Sequence, residues 1–89
     1  MTAEKILRID PKDNVLVALT PLAGGQTVSF SGEDYVLQSD IPAKHKFATR
    51  DLAVGDEVFM YGGVVGLVRQ PIPRGGLLST RNEIGRAHV

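Results

Sequence analysis

Apolar residues in this chain come in short clusters, and glycine or proline interrupts almost every stretch of about ten residues. An amphipathic helix needs an apolar position every three or four residues over several turns, and no such stretch survives these interruptions. The clusters are rich in Val, Ile, Leu, Phe and Tyr, the composition of strands. Residues 6–9 predict a first strand, stopped by the turn cluster Asp10-Pro11-Lys12-Asp13-Asn14, and residues 15–19 predict a second. Residues 27–30 and 35–37 flank Ser31-Gly32-Glu33-Asp34 as a hairpin. A clearer hairpin joins 57–61 to 64–68 through Gly62-Gly63, because two glycines tolerate the positive φ angles of a type I′ turn. Helix is expected at most as a turn or two near 11–14 or at the extreme C-terminus. The fold class is all-β.

A short unit recurs within this pattern. An aliphatic residue is followed by two residues, then usually glycine, two more residues and an apolar one. It appears as Leu22-Ala23-Gly24-Gly25-Gln26-Thr27-Val28, Leu52-Ala53-Val54-Gly55-Asp56-Glu57-Val58 and Ile72-Pro73-Arg74-Gly75-Gly76-Leu77-Leu78. A fourth copy, Ile41-Pro42-Ala43-Lys44-His45-Lys46-Phe47, has lysine where the others have glycine. The aliphatic residue plugs the core and glycine allows a tight turn before the next strand. The spacing between copies is too irregular for a solenoid. A small β-structure folded over at several equivalent corners fits it.

Composition narrows the function classes. The chain has 89 residues, 43% hydrophobic and 22% charged, enough for one small globular domain. Ten basic and ten acidic side chains cancel, and no basic stripe interleaves Tyr35, Phe59 and Tyr61, which argues against nucleic acid as a partner. Without cysteine there are no disulfides or thiolate metal sites. No apolar run approaches the ~18 residues of a membrane span, and the first residues lack a signal-peptide core, so a cytoplasmic protein is expected. Charge is uneven along the chain. Residues 1–40 carry three basic and six acidic side chains, and residues 41–89 carry seven and four. The halves either pair with each other or the basic half faces an anion such as a carboxylate.

Lys44-His45-Lys46 is the one corner that carries chemistry. In an extended chain Lys44 and Lys46 point one way, and His45 and Phe47 the other. Two neighbouring ammonium groups disfavour a charged ring, and a neutral imidazole accepts a proton, ligates a metal or bonds a hydroxyl. The alternative is a histidine satisfied by a backbone carbonyl beside solvated lysines. His88 stands alone near the end, and the two histidines make no autonomous metal site. Gly75-Gly76-Leu77-Leu78-Ser79-Thr80 lacks the lysine and helix of a phosphate loop. The serines lack a His–Asp pattern for nucleophilic catalysis. Asp40, Asp51 and Asp56 read as turn-holding residues.

Asp13-Asn14-Val15-Leu16-Val17-Ala18-Leu19, the stretch from Asp40-Ile41-Pro42-Ala43-Lys44-His45-Lys46-Phe47 through Ala48-Thr49-Arg50-Asp51-Leu52, and Met60-Tyr61-Gly62-Gly63-Val64-Val65-Gly66 together resemble one family. It is the N-terminal SAF domain of altronate and galactarate dehydratases, which is similar also to the small subunit of sulfolactate sulfo-lyase. The resemblance runs from about Ile6 to Asn82 and implies a β-clip, a long hairpin folded on itself, with the SAF domain over 1–82 and a tail or linker start over 83–89. It implies a part in a hydro-lyase acting on a sugar acid, completed by a larger catalytic domain or subunit and inactive alone. It implies a divalent metal, iron or manganese, in the full enzyme and none held by this chain. His45 and Lys46 match the family's His-Lys pair, making His45 the catalytic candidate and Lys46, Lys44, Arg81 and Asn82 substrate-binding candidates. Near the C-terminus the family pattern Gly-Glu-His-Val-His-x-His-Asn is replaced by Gly75-Gly76-Leu77-Leu78-Ser79-Thr80-Arg81-Asn82, so three histidines are missing and Asn82 remains. The reading from another class is a stand-alone, non-catalytic β-clip module that binds a carbohydrate or a protein.

Overall fold

Alternating burial turns each apolar cluster into a strand with one face on a core, and in the computed structural model, which describes residues 5–79 and 81–85, there is no helix among the described residues. Four strands form a central antiparallel sheet in the order β1 (Ile6–Leu7), β2 (Val15–Ala18), β5 (Lys46–Ala48), β8 (Leu77–Leu78). A hairpin of β3 (Thr27–Phe30) and β4 (Glu33–Val36) covers one face. A second hairpin of β6 (Glu57–Met60) and β7 (Gly63–Val68), with β9 (Glu83–Gly85) added beside β7, covers the other.

Strand alternation splits the core accordingly. Leu16, Ala18 and Phe47 face the first hairpin and pack with Leu22, Val28, Tyr35, Leu37 and Ile41. Val15, Ala48 and Leu78 face the second and pack with Leu52, Val58, Val68 and Ile72. The Tyr35 and Phe47 rings meet edge to face at 5.9 Å, a favoured aromatic geometry. Each fully buried aliphatic or aromatic side chain contributes on the order of 1.5–3 kcal/mol.

The four corners are the four recurring units. Leu22 bridges Ile41, and Leu52 bridges Ile72. The corners also show a duplication that the spacing conceals. Hairpin turns Ser31-Gly32 and Tyr61-Gly62 both have positive φ at two successive residues, as a type I′ turn requires. Gly25 donates to the Leu37 carbonyl as Gly55 donates to that of Val68, and Lys44 donates to the Ala18 carbonyl as Gly75 donates to that of Ala48. The chain is one strand–corner–hairpin–corner unit used twice, with β5 ending the first and starting the second. A bulge lengthens the second copy by one residue, since Val58 pairs with Gly66 and Phe59 with Val64, skipping Val65.

Asn14 holds that bulge. Its Oδ1 accepts from the Phe59 N–H at 2.8 Å and its Nδ2 donates to the Glu57 carbonyl at 2.9 Å. Asn14→Ala leaves both backbone groups unpaired and costs about 2 kcal/mol, lowering Tm by roughly 8–16 °C for a domain of this size. Thermal unfolding followed by circular dichroism checks this, and an unchanged Tm rules out the brace.

Three expectations differ from the structure. The second hairpin turns at Tyr61-Gly62, one residue before Gly62-Gly63, because the buried Asp13 carboxylate accepts from the N–H groups of both turn residues, at 3.1 and 2.9 Å. The first hairpin likewise turns over two residues, Ser31-Gly32, so its return strand starts at Glu33. The boundary after Asn82 falls short of a strand, since β9 pairs Glu83, Ile84 and Gly85 with Val68, Leu67 and Gly66 and extends the second hairpin. The position of His88 lies outside the described residues.

Candidate functional site

At the second corner the His45 N–H donates to the Pro42 carbonyl at 3.1 Å, closing a turn with Lys44 at its third position. Lys44 has φ 69°, where the other three corners carry Gly25, Gly55 and Gly75 at φ 83°, 92° and 82°. Lys44 is therefore a turn residue, and strand alternation begins only at Lys46, not at Lys44 as an extended reading requires. A side chain in this region costs about 1–2 kcal/mol relative to its ordinary conformation. Lys44→Gly is accordingly expected to stabilise the chain by about 1 kcal/mol and raise Tm by roughly 4–8 °C. A Tm that falls on this substitution overturns the reading of the corner.

His45 is exposed, and its Nδ1 lies 3.2 Å from the Ala43 carbonyl oxygen. A carbonyl only accepts, so a hydrogen bond here is donated by Nδ1. The structure thus shows the backbone-carbonyl contact of one ring nitrogen, on a side chain that is exposed. Lys46 is half-buried at the start of β5, paired with Val17 on one side and Leu78 on the other. The duplication supplies a comparison within the molecule. Lys46 begins the second copy at the place where the first has Leu16, a core residue with no exposure. Lysine at a core-equivalent place is not explained by packing.

Arg81 and Asn82 lie in a turn beyond β8, the strand that pairs with β5. Lys46 and Leu78 form the last pair of that ladder. The corner before Lys46 and the turn after Leu78 thus adjoin the same end of the β5–β8 ladder, and Lys44, His45 and Lys46 are not among the residues that line the groove beside Arg81. The Asn82 amide is committed to its own turn: Oδ1 accepts from the Ser79 N–H at 2.9 Å, and Nδ2 donates to the Leu77 carbonyl at 2.8 Å. The Arg81 backbone N–H donates to Ser79 Oγ at 3.2 Å, and its side chain is exposed. Next to this turn is an open groove of about 310 Å³, which Arg81 and Asn82 line together with Ser79, Gln38, Ser39 and Gln70. The glutamines and Ser39 carried no motif. Their only signal is topological, in that Ser39 and Gln70 precede Asp40-Ile41 and Pro71-Ile72 at matching places of the duplicated unit.

Asp40, Asp51 and Asp56 do hold turns, two of them across the fold. Asp40 Oδ1 accepts from the Gly24 N–H and Asp51 Oδ1 from the Arg74 N–H, both at 2.8 Å, and Asp56 Oδ2 accepts from the Ala53 N–H at 2.8 Å. Pairing between the charge-biased halves is visible at Arg74, which reaches Glu33 at 3.3 Å. Among the described residues no three His, Asp or Glu side chains converge as metal ligands, and no helix is long and apolar enough to cross a membrane.

A duplicated, folded-over β-hairpin with one basic corner defines a small all-β domain. Residues 4–84 match the altronate/galactarate dehydratase SAF domain, and the chain belongs to that family. It is similar to altronate dehydratase of Escherichia coli strain K12, 39% identical over 69 residues that make up 78% of this chain and 14% of that protein. It is similar also to altronate dehydratase of Bacillus subtilis strain 168, 28% identical over 79 residues, 89% of this chain and 16% of that protein. The chain thus spans about a seventh of the length of these relatives.

Proposed function

We propose that this SAF domain completes the substrate site of a larger catalytic domain or subunit in a cytoplasmic sugar-acid hydro-lyase of the altronate dehydratase type. The observation that carries this is the corner at His45. Its Nδ1 lies against the Ala43 carbonyl, its side chain is exposed, and two lysines flank it in sequence where the equivalent corner has Gly75 and Leu77. Dehydration beside a carboxylate removes a proton from the carbon next to that carboxylate and expels the neighbouring hydroxyl, which leaves as water after receiving a proton. His45 Nε2 takes up or returns one of these protons. Lys44 and Lys46 draw the substrate carboxylate to the same end of the sheet, Arg81 adds a guanidinium, and Asn82 fixes the turn that carries Arg81. The iron or manganese ion belongs to the catalytic portion.

The test is a dehydration assay on D-altronate with iron or manganese, comparing this chain alone, a related catalytic portion alone, and the two mixed. Activity only in the mixture is the expected result. Equal rates with and without this chain overturn the shared site.

A further inference from the structure

The groove beside the Ser79–Asn82 turn has the chemistry of a ligand site. Its wall brings Gln38 and Ser39 from the first copy of the duplicated unit against Gln70, Ile72, Ser79 and Arg81 from the second and the turn after it. Its volume of about 310 Å³ is at the small end of the range for small-molecule sites. Among the described residues neither Asp nor Glu lines it. Gln38 Nε2 donates to the Val36 carbonyl at 3.1 Å, which leaves Oε1 as an acceptor. Ser79 Oγ accepts from the Arg81 backbone, which leaves its hydrogen to donate. Gln70 adds both a donor and an acceptor, and the exposed Arg81 guanidinium matches a carboxylate in fork geometry. Uncharged hydrogen-bonding groups and one exposed cation, set beside Ile72, Pro73 and Leu77, match the hydroxyls and the carboxylate of one small molecule.

We propose that this groove binds an acyclic polyhydroxy carboxylate, with Arg81 on the carboxylate and Gln38, Ser39, Gln70 and Ser79 on the hydroxyls. The inference rests on the hydro-lyase reading for its choice of ligand, but it concerns binding by this chain on its own. The experiment is a titration of the ¹⁵N-labelled 89-residue chain with D-altronate, and in parallel with altritol, its uncharged polyol counterpart. Expected are saturable shifts at the side-chain amides of Gln38 and Gln70 and at the backbone of Ser39, Ser79 and Arg81. Arg81→Ala is expected to weaken altronate binding about tenfold, the worth of one charge-assisted contact, and to leave altritol unaffected. Arg81 is exposed, so unchanged spectra elsewhere confirm that the variant is folded. No shifts at these residues, or shifts centred elsewhere, overturn the site, and equal binding of altronate and altritol overturns the role of Arg81. Binding without any gain of turnover in the mixed assay upholds this groove and sinks the hydro-lyase reading. Turnover without binding by the isolated chain does the reverse.

Discussion

His45→Ala lowers kcat of the assembled hydro-lyase by about 10²–10⁴-fold, the range for loss of a positioned proton-transfer group, while KM changes little. The geometry behind this is specific. The Ala43 carbonyl, which can only accept, lies 3.2 Å from Nδ1, and Nε2 is the nitrogen we propose as the reacting atom. The ring is exposed, so its removal is expected to move stability by no more than about 0.5 kcal/mol. A readout that a merely structural role does not move is exchange of the substrate hydrogen next to the carboxylate with solvent deuterium. That exchange should disappear in His45→Ala if His45 removes the proton, and persist if His45 acts on the leaving hydroxyl. Lys44→Ala and Lys46→Ala instead raise KM, because they act by attracting the carboxylate. A His45→Ala enzyme within threefold of the parent rate rules out proton transfer by this residue.

Much of the architecture was legible because local chemistry determined it. Each corner needed an aliphatic plug and a residue tolerant of positive φ, and those two demands left the recurring unit in the sequence. The duplication was hidden by two features. The bulge at Val65 put the second pair of corners one residue out of step, and the short link through β5 broke the appearance of a regular period. Turn placement failed at Tyr61 for a long-range reason, since the Asp13 carboxylate decides which two residues turn, and it lies 48 residues from Tyr61 in the sequence. At the candidate site, His45 and Lys46 stood out as the polar exception to an apolar repeat. The groove did not, because Gln38 and Gln70 become neighbours only when the two copies fold together.

The contact between the copies also sets the largest expected loss of stability, at Gly75→Ala. Gly75 and Lys44 occupy equivalent corners with φ 82° and 69°, yet one tolerates a long side chain and the other does not. A Cβ on Gly75 would overlap the Val36 carbonyl oxygen of the first hairpin, and backbone cannot yield as a flexible side chain can. Relief requires the two copies to separate at this point. Separation breaks the bonds from the Gln38 N–H to the Gly75 carbonyl, at 3.0 Å, and from the Gly75 N–H to the Ala48 carbonyl, at 2.9 Å. It also withdraws the neighbouring Arg74, whose guanidinium lies 4.3 Å from the Tyr35 ring centre and donates to the Asp34 carbonyl at 2.8 Å. Two backbone bonds, a cation–π contact and the left-handed strain together amount to about 4 kcal/mol or more. A domain of this size has only about 4–13 kcal/mol of stability in total, so Gly75→Ala should be partly or wholly unfolded at 37 °C. Gly55→Ala is the control, with φ 92° but nothing within 4 Å of the added carbon, so it carries the conformational strain alone, about 1–2 kcal/mol. Urea unfolding of the two variants separates strain from close approach. Equal midpoints would mean that the approach of Gly75 to Val36 is not what locks the copies together.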